Sequence, residues 1–264
     1  MTEMISKWIS AGLVVAMAAG LMAQEAKQPQ VKSQAELDAV QALFQAPTPD
    51  DRIKAGEALI IKFADTDFKA VALYLIAASY EQKNDFEKMV IYAERTLEAD
   101  PKNYGAMLML AGGIAKRTRE HDLDREEKLA RAEKFANDAI EVLKTAPKPN
   151  PQITDEQWAD AKKDSVAQAH EALGIAAMVR KKNDVAITEF KKAVDEAAVP
   201  DPATVVRLAQ VYNMSQKHDE ALAVLDKLNT MPDVHPTIKQ VAQAERVRAI
   251  QAKGGGAKPA EPAK

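Results

Sequence analysis

The 264-residue chain contains no cysteine, so it can hold no disulfide framework, no thiol nucleophile and no lipid-modified N-terminal cysteine. Glycine is limited to 10 residues, aromatics to 5%, and runs of β-branched residues are scarce, which leaves little from which to build sheets. Neither sign of charge dominates: the formal net charge is -3 and no basic face stands out, so nucleic acid is not an expected partner. What remains is 47% apolar residues in a background rich in Ala, Leu, Lys, Glu and Gln, enough for a large core and the composition of a nearly all-α protein.

One uncharged apolar run is long. Lys7 precedes WISAGLVVAMAAGLMA, Trp8 to Ala23, and the polar QEAKQPQ follows. Positive residue, apolar core and small residue form the pattern of a secretory signal peptide over residues 1–23, with cleavage expected after Ala23. Leu21 is a mediocre residue three positions before that cut, and the alternative is an uncleaved N-terminal membrane anchor, although the run is shorter than the about 20 residues a span needs. Either reading places the rest of the chain outside the cytoplasm, periplasmic or secreted, with membrane contact only through this segment if it is retained.

Residues 24–32 read as a linker, 33–252 as a helical domain and 253–264, GGGAKPAEPAK after Lys253, as a disordered tail. Helical apolar spacing predicts eleven helices near 33–45, 50–65, 68–83, 86–99, 103–118, 124–146, 154–182, 184–197, 201–216, 219–230 and 236–252. Ser33 with Glu36 and Thr154 with Gln157 have capping-box spacing, and Asp201 before Pro202 suits an N-cap and first helical position. Two segments break the rhythm: the charge run near 116–128, expected as an insertion between paired helices, and TAPKPNPQ near 145–152, whose three prolines require an irregular connection.

The apolar spacing repeats. Leu173, Gly174, Ala177, Ala186, Phe190 and Ala193 recur thirty-five residues later as Leu208, Ala209, Tyr212, Ala221, Leu225 and Leu228. An upstream copy reads Ile76, Ala77, Tyr80, Met89, Ala93 and Thr96, closed by Pro101, and a fourth, from Tyr104 through Leu110, Ala111 and Ile114 to Ala132, Ala136 and Ala139, fits with nine residues inserted between its helices. A two-helix unit at this period resembles the tetratricopeptide repeat (TPR) family, of the exported bacterial type given the leader. Met89 and Thr96 depart from the family's usual alanines, and Pro200 and Pro232 are displaced from its closing proline. The resemblance spans about Ser33 to Lys253, is weakest before Phe68, and implies an α-α superhelix: a solenoid of stacked helical hairpins with a concave surface.

No catalytic set emerges. HEALG, His170 to Gly174, begins like a zinc-protease HExxH motif, but Gly174 stands where the second histidine must be. His170 then reads as a packing residue. His121 with Asp122, Asp124, Glu126 and Glu127 lacks metal-ligand spacing and reads as a solvated charge run, so neither a metal nor another cofactor is expected. Gly112 and Gly113 lack the spacing and the lysine of a phosphate loop, and Ser165 and Thr188 have no evident His and Asp partners.

The expectation is therefore a non-catalytic scaffold or adaptor of the cell envelope. The resemblance implies that the first helix of each unit lines a concave protein-binding groove, through Val71, Tyr74 and Ala78; Leu108, Gly112 and Ala115; Glu171, Ile175 and Met178; and Val206, Gln210 and Met214. That set is mainly apolar, which favours an apolar or amphipathic protein or peptide segment as partner. Two alternatives stay open: an envelope enzyme with its site in the insertion or the long helix from Thr154, and a structural homo-oligomer whose groove is filled by a sister subunit or the C-terminal helix.

Overall fold

The computed structural model describes residues 29–254; the expected signal segment, most of the linker and nearly all of the tail lie outside them. Eleven α-helices form among the described residues: α1 Gln34–Gln45, α2 Pro49–Lys62, α3 Lys69–Gln82, α4 Phe86–Ala99, α5 Tyr104–Arg117, α6 Arg125–Thr145, α7 Asp155–Val179, α8 Asn183–Asp195, α9 Pro202–Met214, α10 His218–Asp226 and α11 Pro236–Lys253, with a 3-10 turn at Lys227–Thr230. No strand occurs among these residues.

The chain divides into two compact units. One holds the described residues through Ile114 together with Lys134–Ala159; the other holds Ala115–Glu133 and everything described from Asp160 onward.

In the first unit α1 packs on α2, α2 on α3 and α3 on α4. Val40, Leu43, Leu59, Phe68 and Ala72 form a fully buried cluster at its start. The buried Glu36 is satisfied there: its carboxylate accepts Lys32 N–H at 2.7 Å and the Thr66 hydroxyl at 2.6 Å, while the Ser33 hydroxyl caps α1 through Glu36 N–H at 3.1 Å. A buried carboxylate is tolerable only when its lone pairs are met in this way. Phe63 leaves helical backbone, with φ -126° and ψ 74°, so α2 stops at Lys62 rather than near residue 65. Thr96, at a position where small apolar residues recur, is buried with its hydroxyl bonded to the Tyr92 carbonyl at 2.8 Å, so it costs no unpaired group.

In the second unit α8 packs on α9, α9 on α10, and α11 on both α9 and α10. Asp201 caps α9 through Thr204 N–H at 2.9 Å, with Pro202 in the first turn. A turn recurs along the chain: Asn84, Lys181 and Gln216 take left-handed backbone, φ 57°, 60° and 61°, each eight positions after the first residue of its repeat copy. Each is followed by an N–H that reaches back to the preceding helix, Asp85 to Tyr80, Lys182 to Ala177 and Lys217 to Tyr212, all at 2.9 Å. This chain reversal ends α7 at Val179, short of the expected 182. The fourth copy has Thr118 at the corresponding offset and no left-handed residue, and the connection from Thr118 to Asp124 takes its place. The expected helix 219–230 shortens to Asp226 and tightens into the 3-10 turn as Pro232 approaches. Thr154 and Gln157 form a reciprocal capping box, at 3.0 and 3.1 Å, at the start of α7 in the first unit.

Candidate functional site

The twelve residues counted as groove positions fall into different environments. In the first unit Val71 is fully buried on α3, so it packs in the core and does not face a ligand. Tyr74 and Ala78 follow on the same helix, half-buried, with the Tyr74 ring set against Gly105 of α5: a Cβ at Gly105 would lie 3.0 Å from it. Burial pushes the Tyr74 and Tyr104 phenols above their usual range, and the Tyr104 ring lies 6.5 Å from that of Trp158. Leu108 and Gly112 sit one turn apart on α5, both half-buried, and no heavy atom lies within 4 Å of the Cβ position at Gly112. Gly113, its neighbour, is the opposite: a Cβ there would meet Met89 at 2.6 Å. Tyr74, Ala78, Leu108 and Gly112 are thus the half-buried members of the set on α3 and α5, and Gly112 is the one with open space shown around it.

In the second unit Ala115 and Ile175 are buried and belong to the core, a correction to their counted role. Glu171 is also buried, and its carboxylate is committed to the Arg207 guanidinium at 2.6 Å and to Lys116 at 3.1 Å. Those three residues stand on α5, α7 and α9, so Glu171 is the middle rung tying three first helices together and not a free groove wall. A buried carboxylate needs such partners, since losing one leaves an uncompensated charge. Met178 and Gln210 are half-buried and Met214 is exposed. Val206, buried on its own helix, contributes with Gln210 to a groove of about 200 Å³ between α9 and α11. Ala203, Arg207, Ile238 and Val241 complete most of its lining. Ile238 and Val241 lie outside the expected positions, which fall on the first helices of the repeats; their spacing of three on α11 is the signal the sequence offers.

A second recess, about 230 Å³, is lined partly by Asp164, Glu171 and Asp201. These carboxylates are in use: Asp164 accepts Val199 N–H at 3.0 Å and Asp201 caps α9. His170 is buried with Nδ1 2.6 Å from the Glu189 carboxylate, a link from α7 to α8. His218 reaches the Asn213 side-chain oxygen at 3.1 Å, and His235 caps α11. No group of three or more His, Asp or Glu side chains is placed to hold a metal among the described residues.

Consecutively paired helices, a close-approach glycine and a left-handed turn residue at one offset in three copies define a TPR-type fold. The crystal structure of TTC0263, a thermophilic TPR protein of Thermus thermophilus, matches with a TM-score of 0.51 at 20% identity, over 83% of this chain and 98% of that one. A tetratricopeptide repeat protein of Parabacteroides merdae matches with a TM-score of 0.42 at 15% identity, over 86% and 95%. Acl4, the assembly chaperone of RpL4, matches with 0.44 at 12% identity, over 85% and 99%. No protein-family model and no curated protein matches the chain.

Proposed function

We propose that the protein is a non-catalytic, exported scaffold that holds an apolar or amphipathic segment of another protein in the bacterial cell envelope. The observation that carries this reading is the half-buried row Tyr74, Ala78, Leu108 and Gly112 on consecutive first helices, of which Gly112 faces open space: a Cβ added there meets nothing within 4 Å. Apolar groups left uncovered beside a polar surround are worth about 25 cal/mol for each Å² of apolar area a partner removes from water. Taken by itself, the second unit has methionines at positions 178 and 214, side chains that adapt to varied apolar ligands. Export is supported by Lys7 and the run from Trp8 to Ala23, which precede the described residues.

Affinity capture from envelope extracts tests the binding surface. Wild-type protein should retain a discrete partner, and Gly112→Trp, which projects a large side chain from the open position, should lose it while keeping full helicity. Equal capture by both would remove this surface from the proposal. N-terminal sequencing of the protein from its native host should begin at or near Gln24; intact Met1 in soluble cytosol would sink the export reading.

A further inference from the structure

We propose that two copies of the protein pair by exchanging α11, the C-terminal helix of each seating on α9 and α10 of the other. Every part involved belongs to the second unit.

The seat already has an occupant, and that occupant defines what fits it. α11 packs on α9 and α10 and is held there largely by paired side chains. Asn213 on α9 donates to the Glu245 carboxylate and carbonyl, each at 3.0 Å; Arg246 pairs with Asp226 on α10 at 2.7 Å, and Lys253 pairs with Asp219 at the opposite end of α10. One amide matched to a carboxylate and two cations matched to two acids are features of the α11 sequence, so α11 of a second copy meets every one of these partners. Apolar burial contributes less. Of the 18 residues of α11 the buried ones are Glu245 and Ala249, against seven of the 13 residues of α9. A helix that buries so little can leave its seat without unfolding the repeats beneath it.

What sets α11 apart from any terminal helix is its hinge. Residues 231–235 connect the 3-10 turn to α11, with Pro232 inside the connection and Pro236 directly after it. Asp233 takes left-handed backbone there, φ 50°. At Asn84, Lys181 and Gln216 the same conformation is closed by the next N–H, which bonds back to the preceding helix. Among the described residues no backbone–backbone hydrogen bond spans Asp233. Its conformation is therefore imposed by the docking of α11 and not by the turn itself. Val234, buried immediately after this pivot, begins the moving arm, which runs to Lys253.

Opening the hinge lets Asp233 relax to ordinary backbone, while the exchanged helix recovers on the other copy the contacts it left on its own. A short hinge under strain favours exchange for this reason. Each copy gives and receives the same arm, so the exchange is reciprocal and closes at two copies.

The chain has no cysteine, so introduced thiols report alone. Asp226→Cys and Arg246→Cys proteins, refolded together from denaturant at high concentration and treated with a short bismaleimide, should give a cross-linked heterodimer. Leu123→Cys, at a fully exposed position of the same unit, should give none above background with Arg246→Cys. In sedimentation equilibrium the wild-type mass should rise with concentration from one copy to two and stop there. Asp233→Gly removes the cost of left-handed backbone and should weaken the dimer about tenfold; Asp233→Val, whose β-branched side chain resists positive φ, should tighten it about tenfold, with helicity unchanged in both. A chain that stays monomeric at every concentration, Asp233→Val included, overturns the proposal. So does a dimer indifferent to both hinge variants, growth beyond two copies, or cross-linking between positions 226 and 246 no stronger than the Leu123 control.

Discussion

The Cβ that an alanine would add at Gly174 on α7 falls 2.6 Å from Cδ1 of Phe190 on α8, with two further ring atoms inside 3 Å. Phe190 is fully buried, so its ring has nowhere to retreat. Gly174→Ala should therefore overpack the hairpin, and the cost of this clash should exceed the about 1 kcal/mol that alanine gains in helix propensity, for a net loss of about 1 to 2 kcal/mol. Gly112→Ala should have the opposite sign and stabilise by up to about 1 kcal/mol, since its added methyl meets open space. Denaturant midpoints for the two variants check the pair; a matching shift in both would mean that the hairpin contact does not set the response.

Lys181 and Gln216 hold left-handed backbone without being glycine. The conformation costs an L-residue roughly 1 to 2 kcal/mol, and glycine avoids that cost while losing about 0.5 to 1 kcal/mol of chain entropy. Lys181→Gly and Gln216→Gly should each raise stability by about 0.5 kcal/mol, measured by denaturant unfolding, whereas glycine at helical Lys192 should lower it.

Tyr92 donates its hydroxyl to the Glu57 carboxylate at 2.6 Å. Burial, followed by that hydrogen bond to a charged acceptor, pushes its phenol up to about 12 from the ordinary value of 10.0. The folded protein keeps a proton that the unfolded chain gives up, so the stabilisation is complete below pH 10.0 and fades as pH rises toward about 12. The stability advantage of wild type over Tyr92→Phe should shrink across that window. A difference that is constant with pH would contradict the linkage.

Asn213 on α9 donates its side-chain amide to both the carboxylate and the carbonyl of the buried Glu245 on α11, each at 3.0 Å. Asn213→Ala should cost about 1 to 3 kcal/mol by stripping a buried carboxylate of a partner. Limited proteolysis should show α11 cut first; cleavage elsewhere would mean that this pair does not anchor the helix.

How far the sequence could be read depended on whether a signal was local. Asp85 before Phe86 and Pro101 after Asp100 bracket α4, and the expected 86–99 coincides with Phe86–Ala99. Asn84 is of a residue type that favours left-handed turns, but Lys181 and Gln216 carry no turn signature, and only their shared offset in the repeat marks them. The repeat spacing marks positions on the first helices, but whether such a position is open depends on the neighbouring helix. Gly112 and Gly113 are identical in sequence terms, yet one faces open space and the other Met89. Glu171 looked like a groove residue because its partners, Lys116 and Arg207, lie 55 and 36 positions away in the chain.

The most direct measurement places a photo-crosslinking amino acid at position 112 in the native host, with Ile61, which is 82% exposed, as the control position. The expected result is a discrete adduct with another envelope protein from position 112 and none from position 61. No adduct at 112, equal labelling from both positions, or an adduct only with a second copy of this chain would contradict a partner-binding surface on α3 and α5.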